Sequence, residues 1–250
     1  MTPPRTAPRA ATARERARAE LTREIKEEAR RQLAATGADG LSLRAVAREL
    51  GMVSSALYRY YPSRDDLLTA LIIDAYNALG EAAERAVVGP AAARERWIAG
   101  WHAVRDWARS NPHEYALIYG SPVPGYRAPE ATVGPAARVP LAFIGVIRAA
   151  LGAGEFTSVP DGPPVTGALA QQADELSAAL ARSTVLARST GAAEPPGVPP
   201  DTLVRAVIAW AQLFGMISFE LFGQFVGSFE PADALFAHAA AQSAALVGLR

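Results

Sequence analysis

Apolar residues recur along this chain at the three- and four-residue steps of amphipathic helices. The first such stretch spans about residues 12–36, with Leu21, Ile25, Ala29 and Leu33 on one face. Glycines follow it, as is typical after a helix C-terminus. Nowhere do apolar and polar residues alternate between turn signals as they would in strands. The pattern therefore predicts an all-α protein.

Two shorter helices are predicted next. Ser42 is a good N-cap for a helix that reaches Leu50, and Gly51 suits the left-handed position after its end. A third helix is predicted from about Val53 to Tyr60, because Pro62 stops it.

Longer helices follow. Ser63 and Asp66 resemble a capping box at the start of a fourth helix. Its inner face carries Leu68, Ile72, Ala75 and Leu79. Further helices are predicted at about 91–110, 112–119, 135–151, 166–189, 202–226 and 231–248, separated by proline-rich segments.

Three regions are distinguished by composition and charge. Residues 1–11 contain three prolines and few apolar residues, so we expect a disordered arm. We assign 12–86 to an N-terminal domain and 87–250 to a C-terminal domain. Residues 1–64 hold 13 basic and 7 acidic side chains, a net charge of +6, and the remainder carries −6. A basic module of this kind is suited to a polyanion.

Composition also excludes some chemistry. The chain of 250 residues has no cysteine, and its three histidines show no ligand spacing, so no metal site is expected. No secretory signal is visible. The longest uncharged apolar run, Ala206 to Phe219, has 14 residues and is too short to span a bilayer.

The turn at Gly51 between two short helices is typical of a helix-turn-helix, which we place at residues 42–61. Leu57 and Tyr61 lie four residues apart and are expected to face the core. The polar groups that point elsewhere belong to Ser54, Ser55, Tyr58, Arg59 and Tyr60. Such groups donate hydrogen bonds to phosphates, and an aromatic ring can pack against a thymine methyl.

The stretch GLSLRAVARELGMVSSALYRYYPSRDDLLTAL, from Gly40 to Leu71, resembles the DNA-binding domain of the TetR family of transcriptional regulators. That family is all-helical and dimeric, and its members usually repress genes until a small ligand binds the C-terminal domain. The resemblance implies that Arg44 reaches a base edge or a phosphate and that Arg64 touches a phosphate. Val53 departs from the family, which often has Ser or Thr as N-cap there, so we expect Ser54 to take over the cap.

The stretch ERWIAGWHAVRDWARSNPHEYALIYGSPVPGYRAP, from Glu95 to Pro129, places Trp97, Trp101 and Trp107 at helical spacing. It resembles the C-terminal domain of one TetR subgroup, which implies a ligand-binding domain. Aromatic residues at helical spacing can line an apolar ligand cavity or form ordinary core. The candidate lining residues are Trp97, Trp101, Tyr119, Phe143, Trp210 and Phe214.

The helix predicted at 202–226 is apolar on nearly every side, so one side needs a partner. A homodimer interface of two helices from each protomer meets that need, and small residues allow the close approach. The residues assigned to this interface are Ile208, Gly215, Phe219, Phe222, Ala239 and Ser243.

The sequence favours a cytoplasmic, ligand-responsive repressor that binds a pseudo-palindromic operator as a dimer. The alternative is a small-molecule carrier or enzyme-like helical protein with an incidental basic N-terminus. No nucleotide-binding or nucleophile motif is present, so neither catalysis nor a cofactor is expected. A peripheral membrane helix is disfavoured because Glu20, Glu24, Glu27 and Glu28 interleave the basic residues.

Overall fold

The computed structural model describes residues 12–157, 163–182 and 197–250. Over these ranges the chain is helical, and its only strand-like pairing is a single bridge between Phe156 and Leu249. The predicted all-α class is confirmed. The arm predicted at 1–11 and the end of the helix predicted at 166–189 lie outside the described residues.

The helices, numbered in chain order, are α1 (Ala13–Thr36), α2 (Leu43–Glu49), α3 (Ser54–Leu57), α4 (Arg64–Ala86), α5 (Ala93–Ser110), α6 (Pro112–Tyr119), α7 (Val133–Ala153), α8 (Gly167–Arg182), α9 (Pro200–Leu221) and α10 (Asp233–Leu246). A 3-10 turn, Glu130–Thr132, precedes α7. The observed bounds follow the predictions closely except at the ends of α3 and α9, which are both shorter than expected.

The chain forms two compact units. The first contains the residues up to Leu71 together with Pro122–Arg127, and the second contains the rest. The division therefore falls inside α4 rather than at residue 86. Leu67 and Leu68, near the start of α4, are buried in the first unit, whereas Leu79 and Ala83, further along α4, belong to the core of the second unit.

The second unit is built around α5, α7, α9 and α10. Its core contains Trp97 and Trp101 from α5, Phe143 from α7 and Phe236 from α10, all at least 95% buried. These side chains occupy the helix faces that the apolar pattern marks. The unit buries a large continuous core, as a domain of this length requires.

Among the residues that the structure describes, two helices are long and apolar enough to cross a membrane, judged by length and composition: Glu130–Ala153 and Pro200–Leu221. The apolar run counted from the sequence is therefore shorter than the helix that contains it. Both helices nevertheless contribute buried residues to the common core, among them Val146, Ile147, Leu213 and Ile217. A core helix of a folded domain has the same composition, so we assign both helices to the core.

Candidate DNA-binding surface, ligand cavity and dimer face

Local sequence fixes the turn of the helix-turn-helix. The Ser42 hydroxyl accepts a hydrogen bond from the Ala45 backbone amide at 3.4 Å, so it caps α2 as predicted. Gly51 has a φ of 64°, a left-handed conformation that glycine adopts without strain. The predicted cap by Ser54 is wrong, because Val53 occupies the N-cap position without a side-chain bond and Ser54 is already helical.

The third helix is shorter than predicted because its last turn is tightened. The amides of Arg59 and Tyr60 donate to carbonyls three residues back, at 3.3 and 2.8 Å, as in a 3-10 helix. Tyr58 ends the regular helix and remains 41% exposed. The tightening leaves the polar side chains of this segment pointing away from Leu57, which is fully buried.

The sequence-predicted contact residues lie on one exposed part of the first unit. Arg44, Ser55, Tyr58 and Arg59 are exposed, and Ser54 and Tyr60 are half-buried. Tyr61 is 8% exposed and belongs to the core, as expected. The Arg18 guanidinium on α1 lies over the Tyr60 ring, 5.6 Å from its centroid. The exposed side chains of α2 and the α3 segment thus include hydroxyl, phenol and guanidinium donors.

Arg64 has a different environment from the one that the resemblance implies. Its guanidinium donates to the carbonyl oxygens of Ala38 at 2.7 Å and Leu41 at 3.3 Å, and lies 3.5 Å from Asp65. These bonds hold the loop between α1 and α2, because both carbonyls belong to residues outside the two helices. We assign Arg64 to positioning this connection and leave it out of the proposed DNA surface.

A cavity of about 260 Å³ lies inside the second unit. Four of the six predicted lining residues surround it: Trp97, Trp101, Phe143 and Trp210. Sequence reasoning missed Pro140, Leu141 and Ile144 on α7 and Leu176 and Leu180 on α8. The leucines of α8 recur at seven- and four-residue steps, at Leu169, Leu176 and Leu180, and this spacing is the signal that could have found the last two. Among the described residues that line the cavity, none carries a charge.

The other two predicted lining residues, Tyr119 and Phe214, are not among the cavity's lining residues. Their rings stack on each other with centroids 3.9 Å apart, beside Tyr115. The Tyr115 hydroxyl donates to the Phe214 carbonyl at 3.0 Å and lies 2.9 Å from the Ser218 hydroxyl. Burial raises the pKa of Tyr115 to about 12, and burial likewise raises that of Tyr119. This aromatic cluster is core packing because each ring is covered by its neighbours.

One face of α9 is apolar and open to solvent. Ile208, Phe219 and Phe222 are 52, 54 and 48% exposed. Gly215 lies between them on the same face, and a Cβ added there would meet no atom within 4 Å. These four predicted interface residues therefore form a continuous stripe, which we call the α9 stripe.

The two interface residues predicted on α10 are misplaced. Ala239 and Ser243 are buried inside the protomer, and the Ser243 hydroxyl accepts a hydrogen bond from the Trp97 indole at 2.9 Å. Because α10 is rich in alanine on all sides, the sequence does not reveal which side faces the core. The exposed side of α10 carries Ala234, Ala237, His238 and Ala245 instead.

A buried arginine joins the three helices that carry these features. Arg105 on α5 forms two bonds of 2.7 Å to the Glu220 carboxylate on α9 and one of 2.9 Å to Asp233 on α10. Its guanidinium also lies 4.8 Å from the centroid of the Phe236 ring. The hydrogen bond to Glu220 raises the pKa of Arg105, and Arg105 lowers that of Asp233. The network fixes α9 against α10, and sequence spacing alone gives no sign of it.

The described residues contain no group of three or more side chains that could hold a metal ion. The exposed helix-turn-helix surface and the apolar cavity in a separate unit instead define a helix-turn-helix regulator.

Comparison with known proteins identifies the family. Residues 25–71 match the family described as "Bacterial regulatory proteins, tetR family", and residues 97–242 match "Tetracyclin repressor-like, C-terminal domain". The chain is 41% identical over 216 residues to the HTH-type transcriptional regulators Rv1816 of Mycobacterium tuberculosis and Mb1846 of Mycobacterium bovis, over 84% of both chains. The chain therefore belongs to the TetR family.

Solved structures agree with this assignment. The regulatory protein SCO4313 is 35% identical, with a TM-score of 0.69 over 93% of this chain and 98% of its own. A Rhodococcus sp. RHA1 protein at 22% identity, with a TM-score of 0.61 over 97% of both chains, shows the fold alone. Since the family and these curated relatives are transcriptional regulators, the protein is a DNA-binding regulator of transcription and not an enzyme.

Proposed function

We propose that this regulator is a repressor that binds a pseudo-palindromic operator as a dimer and is released by a small apolar ligand. The observation that carries the proposal is the exposed row of donors on the first unit. These donors belong to Arg44, Ser55, Tyr58 and Arg59. All four side chains are exposed in the protomer and can offer hydrogen bonds and positive charge to DNA. Because DNA is the target, the protein acts in the cytoplasm.

Two symmetric copies of this surface require two half-sites about one helical turn apart or more. The α9 stripe supports the dimer, because three large apolar side chains about half exposed on one face favour a covering surface. We replace Ala239 and Ser243 in the proposed interface by the exposed side of α10. Small side chains there permit close approach of the helices.

The ligand of this proposal is uncharged and largely apolar, because the described lining offers it no ionic partner. The Trp97 indole N–H is engaged by Ser243 within the core, so it is not free to bind the ligand. By linkage, a ligand that releases DNA must bind the DNA complex less tightly than the free protein.

The test begins with sequencing of the genomic fragments that the full-length protein retains. On the recovered duplex, Tyr58→Phe removes one hydroxyl from each protomer, so the affinity of the dimer should fall about thirtyfold, or ~2 kcal/mol, for all sequences alike. Arg44→Ala should cost about 1–3 kcal/mol per half-site and relax the preference at one base position of each half-site if it reads guanine.

Arg85→Ala is the matched control, because Arg85 is an exposed arginine at the end of α4 whose partner, Glu81, is on the same helix. It should bind as the parent does. All three variants should melt as the parent does, since these side chains are exposed. Parental operator affinity in both Arg44→Ala and Tyr58→Phe would show that the DNA surface is misassigned.

A further inference from the structure

The first two turns of α1 project beyond the core of the DNA-binding unit. Residues 12–20 are all exposed, and the first buried residue of the helix is Ile25. At 1.5 Å per residue the projecting part, residues 13–20, is about 12 Å long. A capping box orders its start, since Thr12 and Glu15 each bond the other's backbone amide.

The inner face of α1 changes character where it leaves the core. Ile25 and Ala29 are buried on this face, and Leu21 is partly buried. Steps of three and four residues continue the same face back to Arg18 and Arg14. Toward the N-terminus of α1, two arginines thus take the place of the apolar residues on this face.

This basic end lies beside the predicted DNA-contacting turn. The Arg18 guanidinium carbon is 5.6 Å from the centroid of the Tyr60 ring. Arg14 is one helical turn further out, about 6 Å along the axis. Within the described part of the chain, neither arginine forms an ion pair with a carboxylate.

The opposite face of the same segment offers a contrast. Arg16 and Arg23 lie on that outer face, where Arg23 pairs with Glu20 and Glu27. The charge of Arg23 is thereby partly neutralised within the helix, whereas Arg16 forms no ion pair within the described chain. Arg14 and Arg18 differ from this outer pair in lying on the face that carries the contact between Arg18 and Tyr60.

We propose that Arg14 and Arg18 form a second DNA contact, binding backbone phosphates next to the groove that the turn at Tyr58–Tyr60 enters. A guanidinium binds phosphate through two parallel hydrogen bonds, and its charge displaces counterions from the duplex. The contact positions the protein on DNA and carries no base preference of its own. This inference rests on the proposed operator binding, and it extends the stretch of DNA that each protomer contacts.

The test compares two double variants on a duplex that the parent selects from genomic fragments. Arg14→Gln with Arg18→Gln removes the inner pair, and Arg16→Gln with Arg23→Gln removes the same number of charges from the outer face. Each phosphate contact contributes about −0.9 to the slope of log affinity against log salt, so losing four arginines per dimer should flatten the slope by about 3 to 4. The outer variant should keep the parental slope.

Two further variants separate contact from structure. Arg14→Gln alone, which leaves the Arg18–Tyr60 contact intact, should flatten the slope by about half as much. Arg14→Lys with Arg18→Lys keeps the charge and should restore most of the parental slope. Circular dichroism should show unchanged helicity in all variants, because every replaced side chain is exposed.

Equal slopes for the inner variant and the parent would overturn this inference while operator binding stands. Equal flattening by the inner and outer variants would also overturn it, since only net charge would then matter. A parent protein that retains no duplex would instead refute the operator proposal, and this inference with it.

Discussion

Replacing Phe219 by alanine should weaken self-association by about three factors of ten or more. The ring is 54% exposed in the protomer. A phenylalanine side chain buries roughly 150–250 Å² in full, so covering the exposed part removes about 100 Å² from water. At ~25 cal/mol per Å² this contributes about 2.5 kcal/mol. A two-fold interface contains the residue twice, which gives about 5 kcal/mol.

Sedimentation velocity over a range of protein concentrations measures the effect directly. Val88→Ala is the control, because Val88 is 70% exposed but lies after α4, away from the α9 stripe. It should associate as the parent does. Phe219→Glu, which places a charge in the same position, should give monomers or insoluble protein. The reasoning is refuted if the parent is a folded monomer or if Phe219→Ala dimerises with parental affinity.

Two more predictions concern the second unit. Ala206→Phe places a ring in the cavity, so we expect it to abolish binding of the neutral dye N-phenyl-1-naphthylamine without weakening DNA binding. If the variant bound the dye with the affinity of the parent, the assigned cavity would be wrong. Tyr115 has its pKa raised to about 12 by burial, so the folded state keeps the neutral phenol while the unfolded chain ionises near pH 10. The stability that the neutral phenol contributes is therefore fully present below about pH 10 and is lost as pH rises toward 12. The free energy of unfolding in urea should thus fall less between these pH values for Tyr115→Phe than for the parent. An equal fall in both proteins would refute this.

The DNA-binding unit was the more predictable part of the molecule. Ser42, Gly51 and Tyr61 act through local chemistry, namely a cap, a left-handed turn and an inward-facing ring, and sequence spacing reveals all three. Arg64 was harder to assign, because its carbonyl partners lie 23 and 26 residues away. A charged side chain beside a helix start resembles a phosphate contact until its partners are known.

In the second unit the helices were predictable but their contacts were not. The cavity residues on α5 follow from the aromatic spacing, whereas Ser243 acquires its buried role from a hydrogen bond to Trp97, 146 residues away. Alanine-rich α10 has weak amphipathic contrast, so no period distinguishes its inner side from its outer side. The sequence thus predicted where α10 lies in the chain but not which of its sides faces the core, and this is why Ala239 and Ser243 were assigned to the interface.

The continuous apolar character of α9 has three separate causes. Leu213 and Ile217 are buried in the core, Val207 and Trp210 border the cavity, and the α9 stripe faces solvent. Sequence alone cannot tell which side of α9 faces the core, which borders the cavity and which faces solvent, because all three sides are apolar. The division is set by tertiary contacts, above all the bonds of Arg105 to Glu220 and Asp233. Since Arg105 is buried, a rotation of α9 that moved Glu220 away would leave the arginine without that partner, and this holds the outward side of α9 in one orientation.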